Sequence, residues 1–358
     1  MKQSEVFFVE LPPQSNPKER KLAAEKLLGN CGLKSILPQG GRVAVKIHIG
    51  EGLNTTHISP QLVREVVRSV KQYNVFPFLT ETSTLYKGNR SDAIVHLTYA
   101  YSRGYTFEQI GAPFIMADGL TGNTEIEIPI NGVLYKTVNI ARDITTADAL
   151  IAVTHPTGHI GLGLGAAIKN LGMGLSSRIG KLRQHSSIKP YIDADACTFC
   201  MKCMKWCPEE AIVEKDDRAF IIEPRCIGCG ECLSACNFDA VKYNFSVESA
   251  DLQRRVAEHA LGVLANKEGR AIFINFLIDM TKDCDCIDRA QNPIIPDAGL
   301  LASIDPVAID QATLDITEEK FGTALVKASY PYLDPSIQIE HAELIGLGSS
   351  NYNLIRIE

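Results

Sequence analysis

Eight of the chain's eleven cysteines fall between Cys197 and Cys236, in two groups of identical spacing. Cys197, Cys200, Cys203 and Cys207, followed by Pro208, read C-x2-C-x2-C-x3-C-P; Cys226, Cys229, Cys232 and Cys236 repeat the pattern with Asn237 in place of the proline. A tight turn lets three thiolates converge on one iron–sulfur cube, while the short helix after it directs the fourth away. Two such turns exchange their fourth ligands, as in bacterial two-cluster ferredoxins. The spacing therefore predicts two 4Fe-4S clusters, one held by Cys197, Cys200, Cys203 and Cys236, the other by Cys226, Cys229, Cys232 and Cys207. Structural zinc prefers two separated C-x2-C pairs and disulfides need an oxidising compartment, so neither accounts for a doubled four-cysteine group. Asn237 leaves the ligand count intact and bears only on the hydrogen bonding, hence the potential, of its cluster.

Three further groups could do chemistry. His155-Pro-Thr-Gly-His159 opens a glycine-rich run to Gly165 and leads into Ala166-Ala-Ile-Lys169-Asn170. Glycines let backbone approach a ligand and helix N-termini favour anions, but Gly161, Gly163 and Gly165 are evenly spaced and do not make the G-x-G-x-x-G of a dinucleotide site. Lys169, Arg178, Lys181, Arg183 and Lys189, with His185 among them, concentrate positive charge in an acidic chain. Read with the loop before it, this run predicts a pocket for a small carboxylate or phosphate, with His155, His159, Lys169, Lys181 and His185 as candidate catalytic residues. A solvated face, or cations set beside negatively charged clusters, is the plainer account of the charges. Cys284-Asp285-Cys286, between Asp283 and Asp288, is a candidate third metal site or a disulfide; two thiolates do not complete a tetrahedral shell, and histidines from elsewhere could supply the rest. Cys31 stands alone and reads as structural. His48, Glu51 and His57 follow one predicted strand, Glu81, Arg90 and His96 follow another, and Asp297, Ser303, Asp305 and Asp310 form a late polar run; none is assigned a role singly.

The elements that must position these groups alternate. Strands are predicted over 6–9, 42–49, 76–80, 113–117, 149–153, 271–278 and 354–357. Helices are predicted to open at Asn16-Pro17 and close at Gly29, to open at Ser59-Pro60, to run from Ser91 to Gly104 and over 247–264, and to run from Asp305-Pro306 to about Phe321. Asn131-Gly132 between 124–130 and 133–140 signals a hairpin added antiparallel to the core. Strand–helix alternation favours an α/β fold with a mixed, mainly parallel sheet, and ligands in such sheets bind beyond the carboxyl ends of the strands. The economical organisation is an α/β core over 1–188 and 246–358 with a ferredoxin-like unit, 189–245, inserted.

Composition sets the bounds. The chain has 358 residues, 45% hydrophobic and 22% charged, with a formal charge of −6, which describes a globular protein with no general attraction for nucleic acid or anionic membrane. No stretch approaches the length of a membrane span, and no signal-peptide pattern opens the chain, so a cytoplasmic, reducing, anaerobic setting is expected.

With these segments in place, the sequence resembles a prokaryotic family of iron–sulfur proteins labelled domain of unknown function 362. The resemblance covers nearly the whole chain and rests on Val45-Lys-Ile-His-Ile-Gly-Glu51, Thr80-Glu-Thr-Ser-Thr-Leu-Tyr86, Asp118-Gly119, Ala167-Ile-Lys-Asn-Leu-Gly-Met-Gly174, Gly180-Lys-Leu-Arg-Gln-His-Ser186, Cys284-Asp-Cys286 and Ser303-Ile-Asp-Pro-Val-Ala-Ile-Asp310. His155, Gly158 and His159 match its His-x-x-Gly-His pattern, while Gly165-Ala166 stands where it has a glycine pair. The resemblance implies an α/β core with a two-cluster insert and leaves the reaction open. A looser likeness, of fold only, is to nickel-dependent lactate racemases and would suit a small acid as substrate. The expectation is an iron–sulfur redox protein exchanging electrons between a partner such as a ferredoxin and a site in the core; the alternatives are a non-catalytic carrier or subunit of a redox complex, and a metal-handling or maturation factor.

Overall fold

In the computed structural model the described residues are 3–358 except 186–188, 208, 227–231, 233–234, 239 and 243–248. Eight strands form one sheet: β1 (Ser4–Glu10), β2 (Arg42–Lys46), β3 (Phe76–Glu81), β4 (Phe114–Met116), β5 (Ala149–Thr154), β6 (Ala271–Leu277), β7 (Gly299–Ser303) and β8 (Tyr352–Arg356), in the order β8-β1-β7-β6-β5-β2-β3-β4. The run from β6 to β4 is parallel throughout, β1 and β8 are parallel, and only β7 runs against its neighbours β1 and β6. The fold is thus a mixed, mainly parallel α/β sheet, drawing strands from both sides of the cysteine-rich stretch.

Alternation along the central strands supplies two cores. Val43, Val45, Ile272, Ile274 and Phe276 pack on one face, while Ala44, Phe273 and Leu277 pack on the other. Both faces are covered, which is why these strands read as nearly continuous apolar runs. Helices Pro17–Asn30, Pro60–Lys71 and Ala93–Ser102 contribute to the first core; Ala167–Gly172, Ser249–Leu264 and Pro306–Phe321 contribute to the second. A third, smaller apolar cluster joins Leu85 and Leu182 to Cys203, Ile212, Ile221, Cys232 and Val241. Within that part, Ile212–Lys215 pairs with Arg218–Ile221, and Tyr191–Ile192 pairs with Val241–Lys242. No helix among the described residues is long and apolar enough to cross a membrane.

Several local expectations hold and others need correcting. Asn16 caps its helix through a capping box with Glu19, and Ser59 and Asp305 cap theirs. Gly29 lies inside the first helix, and the left-handed residue that follows it is Gly32, at φ 72°. Asp92, one residue after Ser91, caps the third helix, its Oδ1 accepting from Ile94 N–H at 2.9 Å and Val95 N–H at 3.0 Å. β2 stops at Lys46, three residues before the predicted end. β7 has no alternation to betray it, because all five of its residues are buried.

The hairpin Glu125–Pro129/Thr137–Ala141 forms, but as a separate two-stranded sheet and without a two-residue Asn-Gly turn. Its longer loop is closed by Ile130 N–H donating to Lys136 O at 2.9 Å. Buried Glu258, on the helix Ser249–Leu264, holds that loop by accepting the backbone N–H groups of Val133, Leu134 and Tyr135, each at 2.8 Å, and pairs with His341 Nε2 at 3.0 Å. A remote carboxylate satisfies donors that a tight turn would have satisfied locally.

Removing the charge of one buried partner while leaving its donors in place typically costs several kcal/mol. Glu258→Gln is therefore expected to lower unfolding free energy by about 2–4 kcal/mol, measured by urea denaturation followed by far-UV circular dichroism.

Candidate functional site

The carboxyl ends of β2, β3, β5 and β6 meet at one edge of the sheet, and the loops leaving them build a cavity of about 130 Å³. Lys46 and His48 come from β2 and the residues after it, and Glu81, Thr82, Tyr86 and Arg90 from β3 and its loop. Lys169 and Asn170 come from the helix Ala167–Gly172, Lys181 and His185 from Arg178–Gln184 and its end, and Cys286 from the loop after β6. Lys169, Lys181, His185 and Cys286 thus meet in one place, as the sequence suggests; Lys46, Tyr86 and Asn170 join them without having been singled out. A lysine directly after the apolar Val43-Ala44-Val45 was the available signal.

Cations dominate this lining. Lys46 Nζ donates to Asn170 Oδ1 at 2.8 Å and to Ile47 O at 2.5 Å; Lys181 Nζ donates to Thr82 Oγ1 at 2.6 Å and Ser176 O at 2.8 Å. Lys169 Nζ makes no hydrogen bond among the described residues. Burial pushes all three ammonium groups down, Lys46 and Lys169 to about 8 and Lys181 to about 7. Arg90 is the hub of the acidic counterweight. It donates to Glu51 Oε2 at 3.0 Å, to Glu81 Oε2 at 3.5 Å and to the Tyr86 hydroxyl at 2.6 Å, and contacts His48 Nε2 at 3.1 Å. Burial and Arg90 hold His48 well below its usual pKa, so it is neutral.

His155 lies behind this cavity and does not line it. Its Nδ1 meets Asp285 Oδ2 and its Nε2 meets Ile278 O, both at 2.8 Å. Burial opposes its charge, but Asp285 pushes its pKa up, and a ring that donates from both nitrogens is the protonated form. Asp285 Oδ1 also accepts from Asn54 Nδ2 at 3.0 Å and Thr56 Oγ1 at 3.1 Å. The middle residue of Cys284-Asp285-Cys286 is thereby anchored, with the two sulfurs joined to each other. His159 reaches the same loop because Gly158 N–H bonds Thr281 O at 2.9 Å; a Cβ on Gly158 would stand 2.1 Å from Lys282 O. The N-terminus of Ala167–Gly172 is not open to an anion: Asp310 accepts the N–H groups of Ala167 at 2.8 Å and Ile168 at 2.9 Å. Arg178, Arg183 and Lys189 lie elsewhere; Arg183 bonds Asn139 and Thr137, and Lys189 bonds Glu223 O.

The cysteine-rich part adjoins this edge. Cys197, Cys200, Cys203 and Cys236 line one small cavity, and burial, then the neighbouring Cys197, Cys236 and Cys200, pushes the Cys203 thiol up. Phe199 and Met201 take left-handed backbone, φ 49° and 60°, so that three cysteines within seven residues turn inward. Cys207, Cys226 and Cys232 pack around the same apolar cluster, and Cys229 lies outside the described residues. Cys207 and Cys236 each accept a backbone N–H from the residue four further on, Ala211 at 3.2 Å and Ala240 at 3.3 Å. Thiolate donors, polarised by backbone N–H groups in a small apolar surround, fit a 4Fe-4S cluster.

One loop connects the two places. Leu85 packs with Cys203 and Cys232 and lines the cationic cavity. Tyr86 donates to Cys286 O at 3.2 Å, and Lys87 Nζ reaches Asn237 O at 3.5 Å, next to Cys236. Leu182 repeats the arrangement, packing with the cysteines while the adjacent Lys181 lines the cavity.

Among known proteins, pyruvate synthase subunit PorD of Methanothermobacter marburgensis is 35% identical over 79 residues, 22% of this chain and 90% of that subunit. Ferredoxin-1 of Caulobacter vibrioides is 39% identical over 54 residues, 14% of this chain and 48% of that protein. The chain also spans 56% of a solved lactate racemase apoprotein from Thermoanaerobacterium thermosaccharolyticum, at 15% identity and a TM-score of 0.35, with 76% of its own length covered. The short relatives identify the cysteine-rich segment as an inserted ferredoxin-type iron–sulfur module. Residues 43–315, most of the core and the whole of that module, match a single family, and the chain belongs to it: the family described as Domain of unknown function (DUF362).

Proposed function

We propose that the chain carries electrons between a ferredoxin-like partner protein and the cationic cavity, where a small carboxylate or phosphate binds. The observation that carries this reading is the loop from Thr82 to Arg90, whose Leu85 packs among the cluster cysteines while Tyr86 and Arg90 line the cavity. In this reading residues 189–245 are the insert and 1–188 with 246–358 the core. Cys197, Cys200, Cys203 and Cys236 hold one 4Fe-4S cluster, and Cys226, Cys229, Cys232 and Cys207 hold a second. When bound, the clusters supply one-electron transfer at low potential.

The chain's own residues do the rest. Lys169 meets the anion directly, its Nζ having no acceptor among the described residues, and Lys46, Lys181 and Arg90 add charge from groups already fixed by hydrogen bonds. Met173, Leu85 and the Tyr86 ring keep the space narrow and exclude bulk water, which strengthens each charge–charge contact. Lys181 and Lys169, with pKa values lowered towards neutrality, are suited to give a proton to a substrate as it accepts electrons. His155 acts at one remove, fixing the cysteine loop. A carrier that serves a larger oxidoreductase is the second reading, favoured by the likeness to a pyruvate synthase subunit. Thiolates that must stay reduced suit a cytoplasmic, anaerobic setting.

Anaerobically purified protein is expected to contain about eight irons and as many sulfides per chain, and Cys203→Ser about half of each; equal iron in both would sink the ligand assignment. For the cavity, isothermal titration with phosphate and with short carboxylates should show binding that weakens about tenfold or more in Lys169→Met, the worth of one charged hydrogen bond. The protonated lysines are the binding form, so for the carboxylates, whose own charge is constant there, affinity should be greatest just below pH 7 and fall as pH rises through 7 and 8. Affinity independent of pH and of Lys169, together with stable co-purification with an oxidoreductase, would favour the second reading.

A further inference from the structure

We propose that His159, Cys284 and Cys286 form a metal site of their own, an open three-ligand centre for a soft divalent ion with its fourth position turned to the cationic cavity. The inference rests on the reading of that cavity as an anion site. It begins from placement: one ligand atom from each of the three residues lies within 4.8 Å of the other two. Two thiolates and one imidazole are a donor set for zinc and other soft first-row ions, and three protein ligands leave a position for water or substrate.

The surroundings are built to hold these ligands. The loop carrying both cysteines is anchored at its centre by the buried pair His155–Asp285 and at its end by the Tyr86 hydroxyl on Cys286 O. His159 is fixed by the N–H groups of Gly161 and Leu162, both 3.1 Å from Nδ1, and its Nε2 makes no hydrogen bond among the described residues. Cys286 is half-buried and lines the cavity together with Lys169, so an anion held by Lys169 lies beside the open position. Lys169 also offsets the negative charge that two thiolates bring to the ion.

The joined sulfurs are the oxidised form of the pair, which has no thiolate to offer. A dithiol reductant restores the site: the disulfide bond breaks, each sulfur gains one electron and one proton, and the reductant leaves as its own disulfide. Metal uptake then displaces both thiol protons to solvent, while the imidazole binds as the neutral ring and keeps its single proton on the nitrogen that does not meet the ion. The pair thus has a metal-binding form and a form that excludes the metal, exchanged by two electrons.

The test uses cluster-loaded protein under anaerobic conditions, treated with dithiothreitol, with reduction of the pair verified by alkylation and mass spectrometry. After desalting, zinc is titrated against metal analysis, and cobalt(II) is used in parallel for its thiolate charge-transfer absorption. About one zinc per chain is expected beyond the iron, with a thiolate–cobalt band. Both should vanish in the Cys284→Ser/Cys286→Ser variant while its iron stays unchanged, and His159→Ala should bind zinc at least tenfold more weakly. Equal zinc uptake by wild type and the double variant, no uptake by wild type with the pair shown reduced, or a pair that dithiothreitol leaves oxidised would each overturn the proposal. Phosphate titrated with and without zinc separates the two readings. Phosphate binding by protein that takes up no zinc ends the metal site alone, and zinc uptake without phosphate binding ends the anion cavity alone.

Discussion

Positive charge withdrawn from water is the constraint around which this edge of the sheet is arranged. Lys46, Lys169, Lys181 and Arg90 would each be costly to bury alone, and the structure meets that cost unevenly. Arg90 is almost fully paired, by Glu51, Glu81 and Tyr86. Lys46 and Lys181 have neutral oxygens, which satisfy hydrogen bonds without cancelling charge. Lys169 has none. Net positive potential is left in a small space.

The same constraint explains why the supporting residues are where they are. Parallel strands deliver their carboxyl ends to one edge, so residues distant in the chain, from Lys46 to Cys286, converge there. Glu81 accepts from Ile49 N–H at 2.7 Å as well as from Arg90, tying the ends of β2 and β3 together. Asp285 does the corresponding work for the loop after β6, binding Asn54, Thr56 and His155. Charged groups that look like catalytic candidates one by one turn out to divide into those that face the cavity and those that hold its walls.

What was legible in the sequence follows from how local each signal is. The doubled cysteine spacing and the caps at Asn16, Ser59 and Asp305 are written within a few residues, and they could be read directly. The central strands were visible because burial on both faces makes them continuously apolar. By contrast, β7 is five small or apolar residues with no pattern of its own, and its antiparallel place between β1 and β6 is decided by its partners. Asn131-Gly132 was misleading because the loop it sits in is organised by Glu258, far along the chain. Of the candidate site residues, Lys169, Lys181, His185 and Cys286 were found from local charge and spacing. Lys46 and Tyr86 required knowledge of which loops share an edge, and the placing of His155 behind the cavity depended on Asp285, which lies on a different strand's loop.

The pairing of Tyr191–Ile192 with Val241–Lys242 brings the two ends of the cysteine-rich segment side by side. Topologically, the chain leaves the core and returns to it through one doorway. An insertion of this kind asks little of its host: the core needs only to tolerate an enlarged loop, whose entropic cost grows slowly with length. The iron–sulfur segment can therefore be viewed as a plug-in, gained or lost in one genetic event. A chain without it would keep every strand of the large sheet and every residue of the cationic edge, since none of them lies between 189 and 245.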